Sequence, residues 1–443
     1  MNFATPINTN YAATVVALKD FVILPNCDNV KAALVFGNSI IVSKTATAGE
    51  VGLFFPAESQ LSKEFLGANN LYRKAEFGNV DATQTGYFEQ HGRIKTMRFR
   101  GNKSEGFWIP ISSLAFTGVN LTDFNIGDVF DTIGTIEICR KYVPKGNSTG
   151  TSNTQRSKVA KLIDSIAENQ FRFHFDTENF RRNSHKIKPT DIISISDKHH
   201  GTSAVFANVV VKKNLNWFEK LLTRFGVAIQ DTGYGFVHSS RKVVKGVDGV
   251  DKSNNLHFYG TDLWGITMAD IKDRLPKGYT VYGEIVGFTP TGGAIQAAPG
   301  GKPYHYGCAT GTHKLEVYRV TNVNPDGKII ELAWFQMQEF CAKYGFEMVK
   351  ELFYGPVTEL VPYDNTMDIR DWQDSLLKYL EATYVYDQDC TFNPGLPAEG
   401  IVIRVDRLEE AESFKLKNFR FLESETKLLD AGVVDTETQE SEA

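Results

Sequence analysis

Residues 193–203 read Ile193-Ser194-Ile195-Ser196-Asp197-Lys198-His199-His200-Gly201-Thr202-Ser203, and residues 204–211 continue Ala-Val-Phe-Ala-Asn-Val-Val-Val. Isoleucine alternating with serine is the period-two pattern of a half-buried strand. The run after Gly201 is a second strand, and the glycine marks the turn between them. Lys198 is therefore expected at a strand end, in an α+β domain built on antiparallel sheets.

Working outward, strands are expected over Tyr279–Val286, Leu315–Val320, Gly400–Val405 and Phe414–Lys417. Helices are expected over Leu332–Tyr344, Ile369–Tyr384 and Asn214–Phe225. The last of these carries Phe218, Leu221, Leu222 and Phe225 at helical spacing and stops at Gly226. Toward the amino terminus the pattern changes to short strands: Ala32–Phe36, Ser39–Val42, Val51–Phe55, Arg93–Arg100, Phe107–Ile111 and Thr132–Ile138. Gly, Asn and Pro lie between them, which predicts a small β-barrel. Lys145 to Ser157 is too polar for a core. The expected organisation is a barrel over 1–143, a linker over 144–157, an α+β domain over 158–425 and an acidic tail over 426–443.

A chain of 443 residues suits two or three domains. Its early apolar run, Ala12 to Leu18, is broken by Lys19 and Asp20, so neither a signal peptide nor a membrane span is expected. Cys27, Cys139, Cys308, Cys341 and Cys390 include no Cys-x-x-Cys pair and read as reduced thiols. The expected location is the cytoplasm, of a bacterium or of a virus-infected host cell. A net charge of −5 excludes global attraction to nucleic acid, so any polyanion must be met by local basic patches.

A strand-end lysine beside a glycine turn suits nucleophilic attack on the α-phosphate of a nucleoside triphosphate. The amine must then be neutral, whereas only about one lysine in a thousand is free base near neutral pH. Offsetting that takes roughly 4 kcal/mol, from burial, nearby cations and a metal. Tyr282-Gly283-Glu284-Ile285-Val286-Gly287 and Ala398-Glu399-Gly400-Ile401-Val402-Ile403 each place a carboxylate in an apolar strand. Such a group is costly unless it meets a cation, although a strand-edge glutamate has the same sequence. Lys415 and Lys417 share one strand face by the period of two and could hold phosphate oxygens, or else line a solvated edge. Ser239-Ser240-Arg241 offers another cation. Gly287 to Gly311 lacks the Gly-Lys-Ser/Thr ending of a phosphate loop and is expected to be a mobile connection.

In this order, Lys-x-His-Gly, Ser-Arg, Tyr-Gly-Glu, Leu-Glu-Val-Tyr-Arg, Glu-Gly-Ile-Val and Lys-x-Lys resemble motifs I, Ia, III, IIIa, IV and V of the covalent nucleotidyltransferase superfamily. Histidine at position 200, where many relatives have aspartate, resembles the RNA ligase 2-like branch. Leu24 to Val30, Gly49-Glu50-Val51-Gly52, Arg93 to Gly101 and Ser104-Glu105-Gly106 are similar to the OB domain that precedes the ligase core in one RNA ligase clade. The resemblance implies an ATP-grasp-like ligase fold and an ATP-dependent RNA ligase that uses Mg2+ or Mn2+. It would join 3′-hydroxyl and 5′-phosphate RNA ends through lysyl-AMP and an adenylylated end, as a monomer. It further implies that Lys198 carries AMP, Asp197 reads the adenine amino edge, and Arg241 meets ribose or phosphate. Glu284 and Glu399 orient the metal and the lysine, Lys415 and Lys417 contact the α-phosphate, and Val402 lies against adenine. Leu315 or Tyr318 takes the stacking position. His200 bonds phosphate or ribose beside Gly201, and His199 is a turn residue.

Arg93, Lys95, Arg98, Arg100 and Lys103, interleaved with Met97 and Phe99, could track a phosphate backbone while apolar side chains support bases, or could be a charged barrel face. Arg181 and Arg182, with Lys186 and Lys188, form a second basic cluster. Two other functions compete. DNA ligases and mRNA capping guanylyltransferases carry an OB module after Lys-x-Lys, for which the sequence after Lys417 is too short. A non-catalytic RNA-binding protein would bind RNA without forming a covalent adduct.

Overall fold

The computed structural model describes residues 3–144, 153–174, 176–213, 215–250, 258–407 and 410–433, without the side chains of 153–158 and Lys220. It divides into two compact units, Met1–Val143 with Leu422–Lys427, and Pro144–Phe421 with Leu428–Ala443. The expected linker lies partly outside the described residues, at 145–152, and from Asn153 to Asp164 the chain is helical. Of the acidic tail, 434–443 also lie outside. No helix among the described residues is long and apolar enough to cross a membrane. The cysteines are free thiols.

In the amino-terminal unit, Val129–Phe130, Ala13–Ala17, Val51–Pro56 and Gly106–Pro110 form a four-stranded sheet in that order. Phe21–Val22, Val30–Val35 and Asn38–Ser43 form a three-stranded one. The expected single barrel is not closed: among the described residues these are separate sheets. They are tied where Glu105 N–H donates to Ser39 O at 2.8 Å. Nor does Arg93–Arg100 form one strand. Arg93 bridges Gln60 and turns its side chain inward to Glu58, while Met97–Phe99 pairs separately with Asn102–Ser104 through a tip at Arg100 (φ 46°) and Gly101 (φ 83°). Positive φ at both tip residues matches the twist of a two-residue hairpin. Thr132–Ile138 likewise folds into a hairpin, Thr132–Ile133 with Ile136–Glu137.

The carboxyl-terminal unit has two sheets. Its site-bearing strands are β1 (Ile192–Lys198), β2 (Thr202–Lys212), β3 (Tyr279–Gly287), β4 (His313–Val323), β5 (Gly400–Val405) and β6 (Glu412–Lys417). One sheet runs Glu178–Asn179, β6, β5, β1, Glu351–Pro356. The other runs Val244–Val247, Thr232–Ser239, β2, β3, β4, Ile329–Glu331, with Glu347–Met348 also on β4. Pairing is antiparallel except for the short partners Glu178–Asn179 and Glu347–Met348.

Alternation decides which residues form the cores. Ile193, Ile195, Ile401, Ile403, Phe414 and Leu416 pack on Trp372, Leu376, Leu377 and Leu380 of helix Ile369–Leu380. The intervening residues, Lys198, Val402, Lys415 and Lys417 among them, are left to the opposite face. In the second sheet, Phe206, Val281, Ile285 and Val317 pack on Trp264 and Met268 of helix Leu263–Ile271 and on Trp334, Met337 and Phe340 of helix Trp334–Tyr344. The helix expected from Asn214, a residue outside those described, spans Trp217–Arg224 behind an Asn216/Glu219 capping box and ends before Gly226 at φ 81°. Its apolar residues do not enter a core: Trp217 is 77% exposed, and Phe218, Leu221 and Phe225 are exposed as well.

Candidate active site

The turn from β1 into β2 carries the chain from the first sheet to the second, and its glycine is dictated by space. A Cβ on Gly201 would lie 2.3 Å from Ile285 O and 2.8 Å from Glu284 Cγ on β3. Gly201 N–H instead donates to Glu284 Oε1 at 3.1 Å, and Ser203 pairs with Glu284 across the sheet. Gly400 has a similar role at φ 142°, where a Cβ would lie 2.1 Å from Leu416 O. With β5 so close to β6, Gly400 pairs with both Lys198 and Lys417, and Glu399 precedes it at the junction.

Two ammonium groups converge on one carboxylate oxygen. Lys198 Nζ lies 2.8 Å and Lys417 Nζ 3.1 Å from Glu399 Oε1. Glu399 is 4% exposed, and its Oε2 is buried without a hydrogen-bond partner. An unsatisfied carboxylate oxygen is expensive inside a protein and suits a further cation. Burial pushes the Glu399 carboxyl up, but Lys198, Lys417 and His200 outweigh it and hold the group well below the usual carboxylate range. Lys198 feels the reverse. Burial and Lys417 pull it down, while Glu399 and Glu284 pull it up, and the net displacement is upward. The expected depression is therefore not supplied by the protein alone, because Glu399 and Glu284 hold the proton on Lys198. No cluster of three or more His, Cys, Asp or Glu forms a closed metal site among the described residues. Glu284 and Glu399 match the sparse protein ligation of Mg2+-type ions, which keep water and phosphate oxygens as their other ligands.

Asp197 faces another set of groups. Its carboxylate lies 3.9 Å from His199 Nε2, and burial raises its pKa. His199 is more than a turn residue: Nδ1 hydrogen-bonds the Glu316 carboxylate, whose other oxygen takes Lys314 Nζ at 2.8 Å. The signal for this was the charged Lys314-x-Glu316 pair on β4, which alternation puts on one face. His200 sets its ring edge against Phe421, with centroids 4.9 Å apart. Arg241 pairs with Asp176. Tyr318 Oη lies 3.4 Å from Ser203 Oγ, and its ring meets His174 at 5.3 Å. Leu315, 8% exposed, belongs to the core under the helices. Val402 is half-buried between Ser196 and Lys415.

The connection from Gly287 to Gly311 is folded rather than irregular. Bridges join Phe288 to Ala294 and Ala297 to Pro303, and Tyr304 and Tyr306 are buried. Two basic residues are also redirected by burial. Arg181 is enclosed with Glu381 at 2.7 Å, and Arg93, 1% exposed, makes a two-pronged contact with Glu58 at 2.8 Å. An enclosed guanidinium pays for its desolvation by pairing internally, so neither presents its charge to a phosphate. Met97, Arg98, Phe99 and Arg100 are exposed on the hairpin, while Lys95, Lys103 and Arg182 are partly so.

The model of the family described as RNA ligase matches residues 191–417, more than half of the chain. Among solved structures, the Naegleria gruberi RNA ligase with PPi is similar to this chain at 13% identity. The match covers 95% of this chain and 100% of that one, with a TM-score of 0.56. A lysine-to-methionine mutant of that ligase with AMP and Mn aligns at 14% identity over 93% of this chain and 98% of that one, with a TM-score of 0.55. A lysine-to-alanine mutant with ATP and Mn gives the same values. At such identity the likeness is one of fold. No curated protein matches the chain.

Proposed function

The chain belongs to the RNA ligase family, and on that footing we propose that it is an ATP-dependent enzyme sealing 3′-hydroxyl to 5′-phosphate RNA ends, with Lys198 as the nucleophile. The family match sets aside the DNA ligase and capping readings. The observation that carries the proposal is the convergence of Lys198 and Lys417 on Glu399 Oε1 at 2.8 and 3.1 Å, with the buried Oε2 left over.

In the first step Lys198 Nζ forms a bond to the α-phosphorus of ATP while the bond to pyrophosphate breaks, and Lys417 and Lys415 offset charge on the phosphate oxygens. AMP then passes to a 5′-phosphate oxygen as the phosphorus–nitrogen bond breaks, and the RNA 3′-hydroxyl displaces AMP to close the phosphodiester. Glu284 and Glu399 would hold a divalent cation, Mg2+ or Mn2+, which would cancel the carboxylate field that keeps Lys198 protonated. Burial and Lys417 then favour the free amine. Tyr318 is the better placed of the two stacking candidates, since Leu315 is committed to the core. The amino-terminal unit is read as an OB-like module whose Met97–Arg100 hairpin meets RNA; the Glu105–Ser39 tie between its sheets supports that reading.

The test is transfer of label from α-labelled ATP to the protein, with unlabelled GTP as competitor and 5′-phosphorylated RNA and DNA ends compared for sealing. Lys198→Ala is expected to abolish the adduct, as is chelation of divalent metal. Labelled Lys198→Ala protein would overturn the assignment.

A further inference from the structure

We propose that residues 288–312 form a clamp on the nucleophile's turn, with Tyr306 and Gln296 as positioning residues that set the direction in which Lys198 leaves β1. The inference rests on the function proposed for Lys198. Lys198 is the last residue of β1 to pair, with Gly400, and strand pairing resumes at Thr202, with Ile285. The intervening residues lack those ladder partners, yet their backbone groups need partners where water is excluded. Three side chains supply partners for three of these groups. His200 N–H donates to Tyr306 Oη at 2.7 Å, Gln296 Nε2 donates to Gly201 O at 2.8 Å, and Gly201 N–H donates to Glu284 Oε1 at 3.1 Å. The segment 288–312 thus holds one donor and one acceptor of the turn, and the metal-binding candidate holds a third group.

Tyr306 is built for a fixed position. It is 2% exposed, and its ring lies 4.4 Å from that of His199 and 6.3 Å from that of Phe392. Its N–H reaches Asn393 Oδ1 at 3.4 Å, and Asn393 Nδ2 in turn donates to Pro303 O at 3.0 Å. Its backbone has φ 48°, a left-handed conformation that a bulky side chain adopts only where its surroundings impose it, and such strain gathers at functional sites. Gln296 is joined to the same structure through Tyr304 N–H, which donates to Gln296 O at 2.9 Å. Small displacements of a reacting group carry large rate penalties, so a turn held at both a donor and an acceptor can govern the attack of Lys198 without touching ATP.

Tyr306→Phe removes the hydroxyl and keeps the ring on His199; Gln296→Met removes the amide at similar size. In each variant the amide exchange of the peptide carrying His200 is expected to accelerate. Single-turnover formation of lysyl-AMP is expected to slow by about tenfold, with half-saturating ATP unchanged. Sealing of a pre-adenylylated RNA end, in which Lys198 makes no bond, should proceed at the parent rate. Unchanged exchange in both variants would overturn the clamp. So would unchanged adduct formation, or an equal loss in adduct formation and sealing. Failure of the parent to form an adduct would instead overturn the function of Lys198, while the exchange measurement would still test whether the turn is held.

Discussion

Glu399 shows most directly how single residues set the chemistry here. Its carboxylate is depressed by Lys198 and Lys417, and Lys198 is raised in return by Glu399. The two shifts fix a pH window. A depressed carboxyl contributes stability above its ordinary value of 4.5 and loses it as pH falls through the folded value. A raised lysine contributes below its ordinary value of 10.5 and loses that as pH rises through the folded value. Glu399→Gln, which leaves two ammonium groups facing a neutral amide, is therefore expected to destabilise the protein by roughly 2–3 kcal/mol. Thermal melts of parent and variant should show the widest gap near neutral pH, narrowing in acid as Glu399 takes a proton and in base as the two lysines lose theirs. A gap that widened in acid would contradict the pairing.

At the scale of elements, the basic segment 93–103 divides into an inside and an outside. Arg93→Ala removes both guanidinium bonds from the half-buried Glu58, which keeps Thr426 Oγ1 at 3.2 Å, and is expected to cost about 3 kcal/mol, the low end for a broken buried pair, while leaving the charge of the exposed hairpin intact. Arg98→Ala combined with Arg100→Ala loses the partly exposed Arg98–Glu423 pair at 3.7 Å and the exposed Arg100 bond to Asn26 O at 2.9 Å, so it should lower the melting temperature little. It should also weaken RNA binding and reduce the slope of log affinity against log salt by about 1.4 for single strands. Filter binding across a salt series measures that slope, and an unchanged slope would remove the hairpin from the RNA path. The sequence alone could not make this division. Alternation told which face Lys415 and Lys417 share, because Phe414 and Leu416 are unmistakably core. For Arg93 the decisive partner is Glu58, 35 positions away, and no local period reveals so distant an acid. The same holds for Arg181 and Glu381. Lys198, Glu284, Glu399 and Lys417 were legible because each stands beside a glycine or within an apolar strand, where charge is conspicuous. Tyr306 and Gln296 were not, since they lie in a segment whose glycines suggested motion and whose packing comes from residues 389–397 and Phe421. The exposed helix Trp217–Arg224 is the converse: its apolar spacing predicted the helix correctly but not its exposure, because spacing gives a face and not what covers it.

Across the whole carboxyl-terminal unit, the site belongs to neither sheet. Lys198 and Lys417 come from the five-stranded sheet, Glu399 stands just before its strand β5, Glu284 comes from the seven-stranded sheet, and the turn at Gly201 passes between them. A ligand held by Glu284 and Glu399 together would bind only when both sheets are folded and packed, so its binding energy should stabilise them as one cooperative body. At a hundredfold excess over its Kd, such a ligand adds about 2.7 kcal/mol by mass action. Calorimetry with ATP and Mg2+ should shift the melting of this unit upward in Lys198→Ala protein, where no covalent adduct can form. Glu284→Ala and Glu399→Ala, introduced separately into that background, should each remove the Mg2+-dependent part of the shift, although they alter different sheets. If only one did so, the metal would be assigned to a single sheet, and the turn at Gly201 would serve to place Lys198 without joining the two halves of a cation site.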